Sequence, residues 1–544
     1  MRSTQQSAGG WLIGYGDRAA VVLTALAFLT RLWAAHGIFL NPDEALHFRL
    51  ANQASWRLAY QASLTASHPP LLTFVLYGWR WLGTSDLWLR MPSVLSGTAF
   101  CGFFYHWLSR AAGRLAGLLG LLFAAFLPPV VLLGVELRQY GLLIAFLAAA
   151  LYFLDAAFTT HSALRMAAFS LCLYLAMLSH YSAFLFAAAL GMYSLYWFYV
   201  ERRKAKLVWT WMTGQLFAFA LALFLYKTHL SKLGQGESRT PLQGWMSEFF
   251  LSHSYFDRAH DHAIVFLIGH TFGVFQYFFG QLAVGDVMGL IFLIAIVILL
   301  RDKNSPASRR LAVLFVSSFA VAGGVSLLHV YPYGGTRHVA FLLIPALGAV
   351  SVALARWSRQ SVARGITIAA LVLIACLVFG KARRPWIDRA AQSSANMTAA
   401  MNFIRHNVAP SQPILTDYQS DLILGHYLCR QAPITLDESL PGFERFSCDG
   451  FRVVSANYKT ATAFTAEGFA AVWNDEIWKP SAADAVNNIW VFQAGWDTDL
   501  GERLKERDSR MGAIPIESFG NSIRIFQLPA GQVISPGAPT PAAH

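Results

Sequence analysis

Eleven apolar runs limit what this chain can fold into: residues 18–38, 90–108, 114–133, 139–158, 164–180, 181–199, 207–228, 283–300, 309–330, 338–356 and 364–381. A helix needs about 17–25 apolar residues to cross a bilayer, and only helices or closed barrels satisfy their backbone polar groups there. The expectation is a polytopic α-helical membrane protein with about eleven transmembrane helices. Charged residues make up 13% of the chain, against about 25% in soluble domains. Two further apolar stretches do not read as spans. Residues 70–82 are short and contain Arg80, and residues 262–280 are aromatic and contain His270 and Gln276. Both are expected to be interfacial or re-entrant helices.

The apolar runs stop near Lys381, and the composition then becomes ordinary. The expected division is a transmembrane domain, residues 1–381, then a soluble α/β domain, residues 382–534, and a Pro/Ala-rich disordered tail, residues 535–544. In the tail region a helix is expected over 390–407, with strands over 413–415, 452–456, 489–492 and 522–528. The net charge of +12 sits in short loops between spans, as topogenic charge does, so nucleic acid is not an expected partner. An interior N-terminus, with 70–82 and 262–280 not crossing, puts the basic loops around Arg110, Arg165, Arg202, Arg301 and Arg356 inside. The soluble domain is then extracytoplasmic, and the expected location is a bacterial inner membrane. In that compartment Cys429 and Cys448 could pair.

Under this topology the chemically varied loops collect on the outer face. The first, residues 41–89, contains the acidic pair Asp43-Glu44 and then His68-Pro69-Pro70. A carboxylate beside apolar helices can be tuned as a general base, although Asn41-Pro42-Asp43 is also a good helix opening. A histidine before Pro-Pro can stand at the electropositive start of a helix, where anions bind. Arg90, Arg138 and Arg337 each begin or precede a span on this face, with Tyr140 and His338 beside them. Separately they read as snorkelling anchors; together they can hold a phosphate. Gly334-Gly335 before Arg337 allows close backbone approach. The loop around His253 and Asp257 offers a weak zinc site, because the two would be one helical turn apart.

The order of these motifs, PDEALHF, HPP, LRMPS, ELRQY and PYGGTRH, resembles that of the GT-C superfamily of membrane glycosyltransferases. The resemblance is nearest to glycosyltransferase family 39, the protein O-mannosyltransferase-like proteins, with the aminoarabinose transferases as relatives, and it covers roughly residues 15–381. It implies an inverting transferase that moves a hexose or pentose from a polyprenyl-phosphate carrier to an acceptor on the extracytoplasmic face; whether that acceptor is a lipid, glycan or protein is not inherited with the likeness, and no cofactor is expected. In that likeness Asp43 is the base and Glu44 its neighbour. Arg90 falls where the mannosyltransferases keep a functional arginine, and His68 where the aminoarabinose transferases have a lysine facing the lipid phosphate. Arg138, Tyr140, Arg337 and His338 are further candidates for that phosphate. Ser67 stands where the aminoarabinose transferases carry an acidic residue, which weakens a metal site like theirs. Two other readings are a flippase of lipid-linked sugars and a non-catalytic scaffold. The first predicts polar loops on both faces and the second a dispensable Asp43. Internal repeats of the transporter kind are absent from the sequence.

Overall fold

The computed structural model describes residues 2–200, 205–232, 251–302, 305–380, 392–409, 412–429, 434, 443–456, 488–496, 498, 502 and 515–529, with side chains from residue 15 on. All eleven apolar runs are helical. In chain order the helices are α1 (Arg2–Ala35), α2 (Pro42–Ala51), α3 (Trp56–Ser63), α4 (Leu71–Trp79), α5 (Asp86–Ala112), α6 (Arg114–Phe126), α7 (Pro128–Leu133), α8 (Gln139–Thr160), α9 (Ala163–Ser179), α10 (Ala183–Val200) and α11 (Ala205–Leu225). They continue as α12 (Ala263–Phe279), α13 (Leu282–Arg301), α14 (Pro306–Leu327), a 3-10 turn (Arg337–Leu342), α15 (Leu343–Trp357) and α16 (Val362–Phe379). Among the described residues, eight helices are long and apolar enough to cross a membrane. The remaining three runs depart from a simple span. Run 90–108 lies inside the more polar, 27-residue α5, 164–180 forms the 17-residue α9, and 114–133 breaks into α6 and α7.

The break has a chemical cause. Pro128 and Pro129 have no N–H, so the carbonyls of Ala124 and Ala125 lose their helical donors. Arg31, fully buried in α1, replaces them, donating to Ala124 O at 2.8 Å and Ala125 O at 3.4 Å. An arginine at that depth is tolerable because backbone carbonyls receive it.

The C-terminal region supplies α17 (Ser394–Asn407), α18 (Tyr418–Leu428) and six strands: β1 (Pro413–Thr416), β2 (Phe443–Cys448), β3 (Phe451–Ala456), β4 (Asn488–Ala494), β5 (Ile516–Ser518) and β6 (Ile523–Pro529). They form one mixed sheet in the order β2-β3-β1-β4-β6-β5, parallel at β1–β3 and β1–β4. Cys429, just after α18, is disulfide-bonded to Cys448 at the end of β2. The four expected strands and the expected helix are present. The sequence reading missed α18, β2 and β5. The 535–544 tail lies outside the described residues.

This region shares a core with the first polar loop. Phe39, Leu40, Ala45 and Phe48 pack in one apolar cluster with Ile414, Leu422, Ile423 and Phe492. Arg49 of α2 donates to the fully buried Asp421 of α18 at 2.9 Å. The Tyr427 hydroxyl accepts from Leu40 N at 2.7 Å and donates to Asp86 at 2.9 Å. The segment Phe39–Arg49 is thus held between the bundle and the C-terminal region.

Candidate active site

Helix α2 begins with a reciprocal cap: Asn41 Oδ1 accepts from Glu44 N and Glu44 Oε2 accepts from Asn41 N, both at 3.0 Å. Pro42 suits the first turn. The cap fixes the two neighbouring carboxylates in different surroundings.

Glu44 points inward. Its Oε1 accepts from Arg90 Nε at 2.7 Å and Leu137 N at 2.9 Å, and its Oε2 from Arg90 Nη2 at 2.6 Å. Arg90 spends its remaining donors on the carbonyls of Ala35, Ile38 and Phe39. A guanidinium has five N–H groups, and all five are used here. Both residues are 1% exposed. This corrects two expectations. Arg90 has no donor left for a phosphate, and Glu44 has no lone pair free for proton transfer. Together they lock the end of α1, the start of α2, α5 and the loop before α8.

Asp43 points the other way, into a partly open space, and bridges two guanidiniums. Its Oδ2 accepts from Arg138 Nη1 and, at 3.1 Å, from Arg337 Nη2. Burial pushes the carboxyl up, but Arg138 and Arg337 outweigh burial and hold it below its ordinary value. Glu136, in the loop before α8, lies near both arginines, and its carboxylate has no hydrogen-bond partner among the described residues. There burial wins, and the carboxyl is raised.

A stack of imidazoles lies alongside. His68 is 5.8 Å from His47 and 5.3 Å from His180, ring to ring, and His180 is 5.2 Å from Tyr140. Burial, followed by neighbouring positive charge, lowers His47 and His180 to about 3, and His68 well below its ordinary value. The three are neutral at pH 7. Among the described residues, buried polar atoms here lack partners: Arg138 Nε, both Gln139 amide atoms, Tyr140 Oη and His180 Nε2. Buried polar atoms are normally satisfied, so several together fit a polar ligand.

The expected candidates Asp43, His68, Arg138, Tyr140, Arg337 and His338 therefore meet at one end of the bundle. His338 lies beside Arg337, with Nδ1 3.4 Å from Thr336 Oγ1. His47, His180 and Glu136 join them and were not singled out from sequence. Two signals pointed that way. His47 is four residues after Asp43, on the same face of α2, and His180 interrupts the run 164–199. The glycines Gly334 and Gly335 do allow close approach, but to α12: a Cβ on Gly335 would sit 3.0 Å from Gly273 O. The weak zinc candidates His253 and Asp257 are not one helical turn apart. His253 lies in a 3-10 turn, no helix joins it to Asp257, and Asp257 accepts from Ala259 N at 2.8 Å and pairs with His260 at 2.7 Å. Among the described residues no three His, Cys, Asp or Glu side chains are placed to hold a metal.

In fold, the helical bundle with its small C-terminal α/β region is one already seen among solved structures. Among solved structures the chain is similar to ArnT from Cupriavidus metallidurans. It matches the form bound to undecaprenyl phosphate with a TM-score of 0.55 and 13% identity, over 96% of this chain and 99% of that one. It matches the apo form with a TM-score of 0.54 and 13% identity, over 96% and 98%. No protein-family model matches the sequence, and no curated protein matches it.

Proposed function

We propose that the protein is a membrane glycosyltransferase that moves a sugar, with inversion, from a polyprenyl-phosphate carrier to an acceptor on the extracytoplasmic face. The observation that carries this reading is Asp43, a part-exposed carboxylate bridging two guanidiniums beside unpartnered donors. The likeness to a fold whose solved member holds undecaprenyl phosphate agrees with it. The N-terminus lies inside, and the C-terminal domain outside, on the side of the site.

The chemistry follows from the charges. The acceptor hydroxyl oxygen attacks the anomeric carbon, and its proton passes to Asp43. The bond from that carbon to the phosphate oxygen breaks, and its electron pair stays on the phosphate. Arg138 and Arg337 meet the growing negative charge, with Tyr140, His180 and His68 completing the cradle. Asp43 held by two cations is a poor base. A bound phosphate draws the same guanidiniums toward itself, relaxes that hold and raises the basicity of Asp43 only when the donor is present. Because guanidiniums supply the positive charge, no metal is required. Glu136 is the second reading for the base, favoured by its free carboxylate.

The test uses the full-length protein in nanodiscs with polyprenyl-phosphate mannose or arabinose, read as released polyprenyl phosphate. Envelope glycans are profiled by mass spectrometry with and without the gene. Donor cleavage dependent on Asp43, with loss of one glycan product, supports the reading. Movement of intact donor between leaflets without cleavage would replace it with the flippase.

A further inference from the structure

A second polar cavity lies at the opposite end of the bundle. On α5, Arg90 belongs to the end already described, whereas Arg110 is twenty residues further along, about 30 Å at 1.5 Å per residue. That distance is about the hydrocarbon thickness of a bilayer. Arg110 lines a cavity of about 260 Å³ with Asp155, Thr159, Tyr193 and Arg310, from α5, α8, α10 and α14.

Its charges are mixed. Asp155 is 5% exposed, and its one side-chain hydrogen bond among the described residues comes from the Tyr193 hydroxyl, 3.0 Å from Oδ1. Arg110 donates to Thr159 at 2.8 Å, and Arg310 stacks over the Trp197 ring at 3.7 Å. Both guanidiniums act on Asp155 electrostatically, yet neither closes an ion pair with it, and the cavity lies between. A buried carboxylate is costly without a close cation. A hydroxyl alone does not neutralise it.

We propose that this cavity binds the headgroup of a zwitterionic phospholipid carrying a primary ammonium, namely phosphatidylethanolamine. The phosphate lies toward Arg110 and Arg310, and the ammonium donates to Asp155. An anionic glycerol headgroup would leave Asp155 uncompensated, and a trimethylammonium has no N–H to donate. The site lies in the last turns of the apolar helices α8 and α10, and basic pockets between spanning helices are suited to lipid phosphates.

The experiment is native mass spectrometry of the full chain, released from nanodiscs holding equal parts phosphatidylethanolamine, phosphatidylglycerol and phosphatidylcholine. The expected result is retained phosphatidylethanolamine at least tenfold above either other lipid. Asp155→Asn keeps the Tyr193 hydrogen bond and should cut that preference to below threefold. Arg110→Ala, at an exposed position, should lower retention of phospholipid and covers the case in which the first variant misfolds. Equal retention of the three lipids, or an unchanged preference in Asp155→Asn, overturns the proposal. Soluble phosphoethanolamine at millimolar concentration should not displace the retained lipid. Binding of that compound with no lipid retained would move the site from a lipid to a soluble ligand and overturn it as well.

Discussion

Asp43 and Glu44 are adjacent carboxylates with opposite assignments, and replacing each by its amide separates them. In Glu44→Gln the amide nitrogen must face an Arg90 N–H in either orientation, together with Leu137 N in one and Asn41 N in the other, and all of these are donors already. The buried guanidinium then has no counter-charge. Breaking a buried ion pair from one side costs about 3–5 kcal/mol. Gln keeps one acceptor oxygen, so the lower end applies, and at roughly 2 °C per kcal/mol the apparent unfolding midpoint should fall by about 6 °C. In Asp43→Asn the partners Arg138 and Arg337 are 6% and 30% exposed on their side chains, and the amide oxygen still accepts from one. The midpoint should fall by less than in Glu44→Gln, because Arg337 is part-exposed and the amide oxygen can keep the buried Arg138 hydrogen bond, while donor cleavage falls at least a hundredfold, the order expected for loss of a general base. The assay pairs thermal unfolding of the detergent-solubilised full chain with release of polyprenyl phosphate. A Glu44→Gln protein of unchanged midpoint but no turnover would refute the division, as would an Asp43→Asn protein that turns over normally.

Arg138→Ala should raise the donor concentration needed for half-maximal rate by at least tenfold and leave acceptor dependence little changed; the reverse pattern would take Arg138 out of the phosphate cradle. Acid should destabilise the fold through the imidazole stack. His47 and His180, lowered to about 3, stay neutral when folded but charge near pH 6.5 when unfolded. The unfolded state therefore binds more protons between those values, and stability falls with pH from about 6.5 downward, by up to about 1.4 kcal/mol per histidine per pH unit. The unfolding midpoint across pH 7.5 to 5 measures this, and His180→Gln should flatten the slope; an unchanged slope removes His180 from the account. Asp43 acts in the other window, since a carboxylate held below its ordinary value loses its contribution only as pH falls through that lowered value. Chelation with millimolar EDTA should leave the rate unchanged, and a zinc-reversible loss would restore the rejected site at His253 and Asp257.

The sequence carried the membrane fold well, because apolar length is a strong physical signal and each of the eleven runs became helix. It carried the site partly. Asp43, His68, Arg138, Tyr140, Arg337 and His338 were legible because ionisable groups beside spans are rare and costly there. The separate duties of Asp43 and Glu44 were not legible. They depend on which way each carboxylate points from a capped first turn, and on Arg90 arriving from 46 positions along the chain. Helix α18 was hidden for another reason. Its apolar residues face both the sheet and α2, so the run Tyr418–Leu428 shows no clear helical stripe.

The contacts of α18 with α2 also set an order of events during synthesis. Asp421, the partner of Arg49, lies 372 residues after it, and Tyr427, which fixes Leu40, lies 387 residues after it. Ribosomes deliver chains from the N-terminus, so every spanning helix is made before these anchors exist. Until they arrive and dock, the helix that carries Asp43 lacks the Arg49–Asp421 ion pair and the Leu40–Tyr427 hydrogen bond at its start. A chain ending before α18 would thus hold its membrane segments yet lack both anchors, and the placing of Asp43 would report that the C-terminal region had been made and docked.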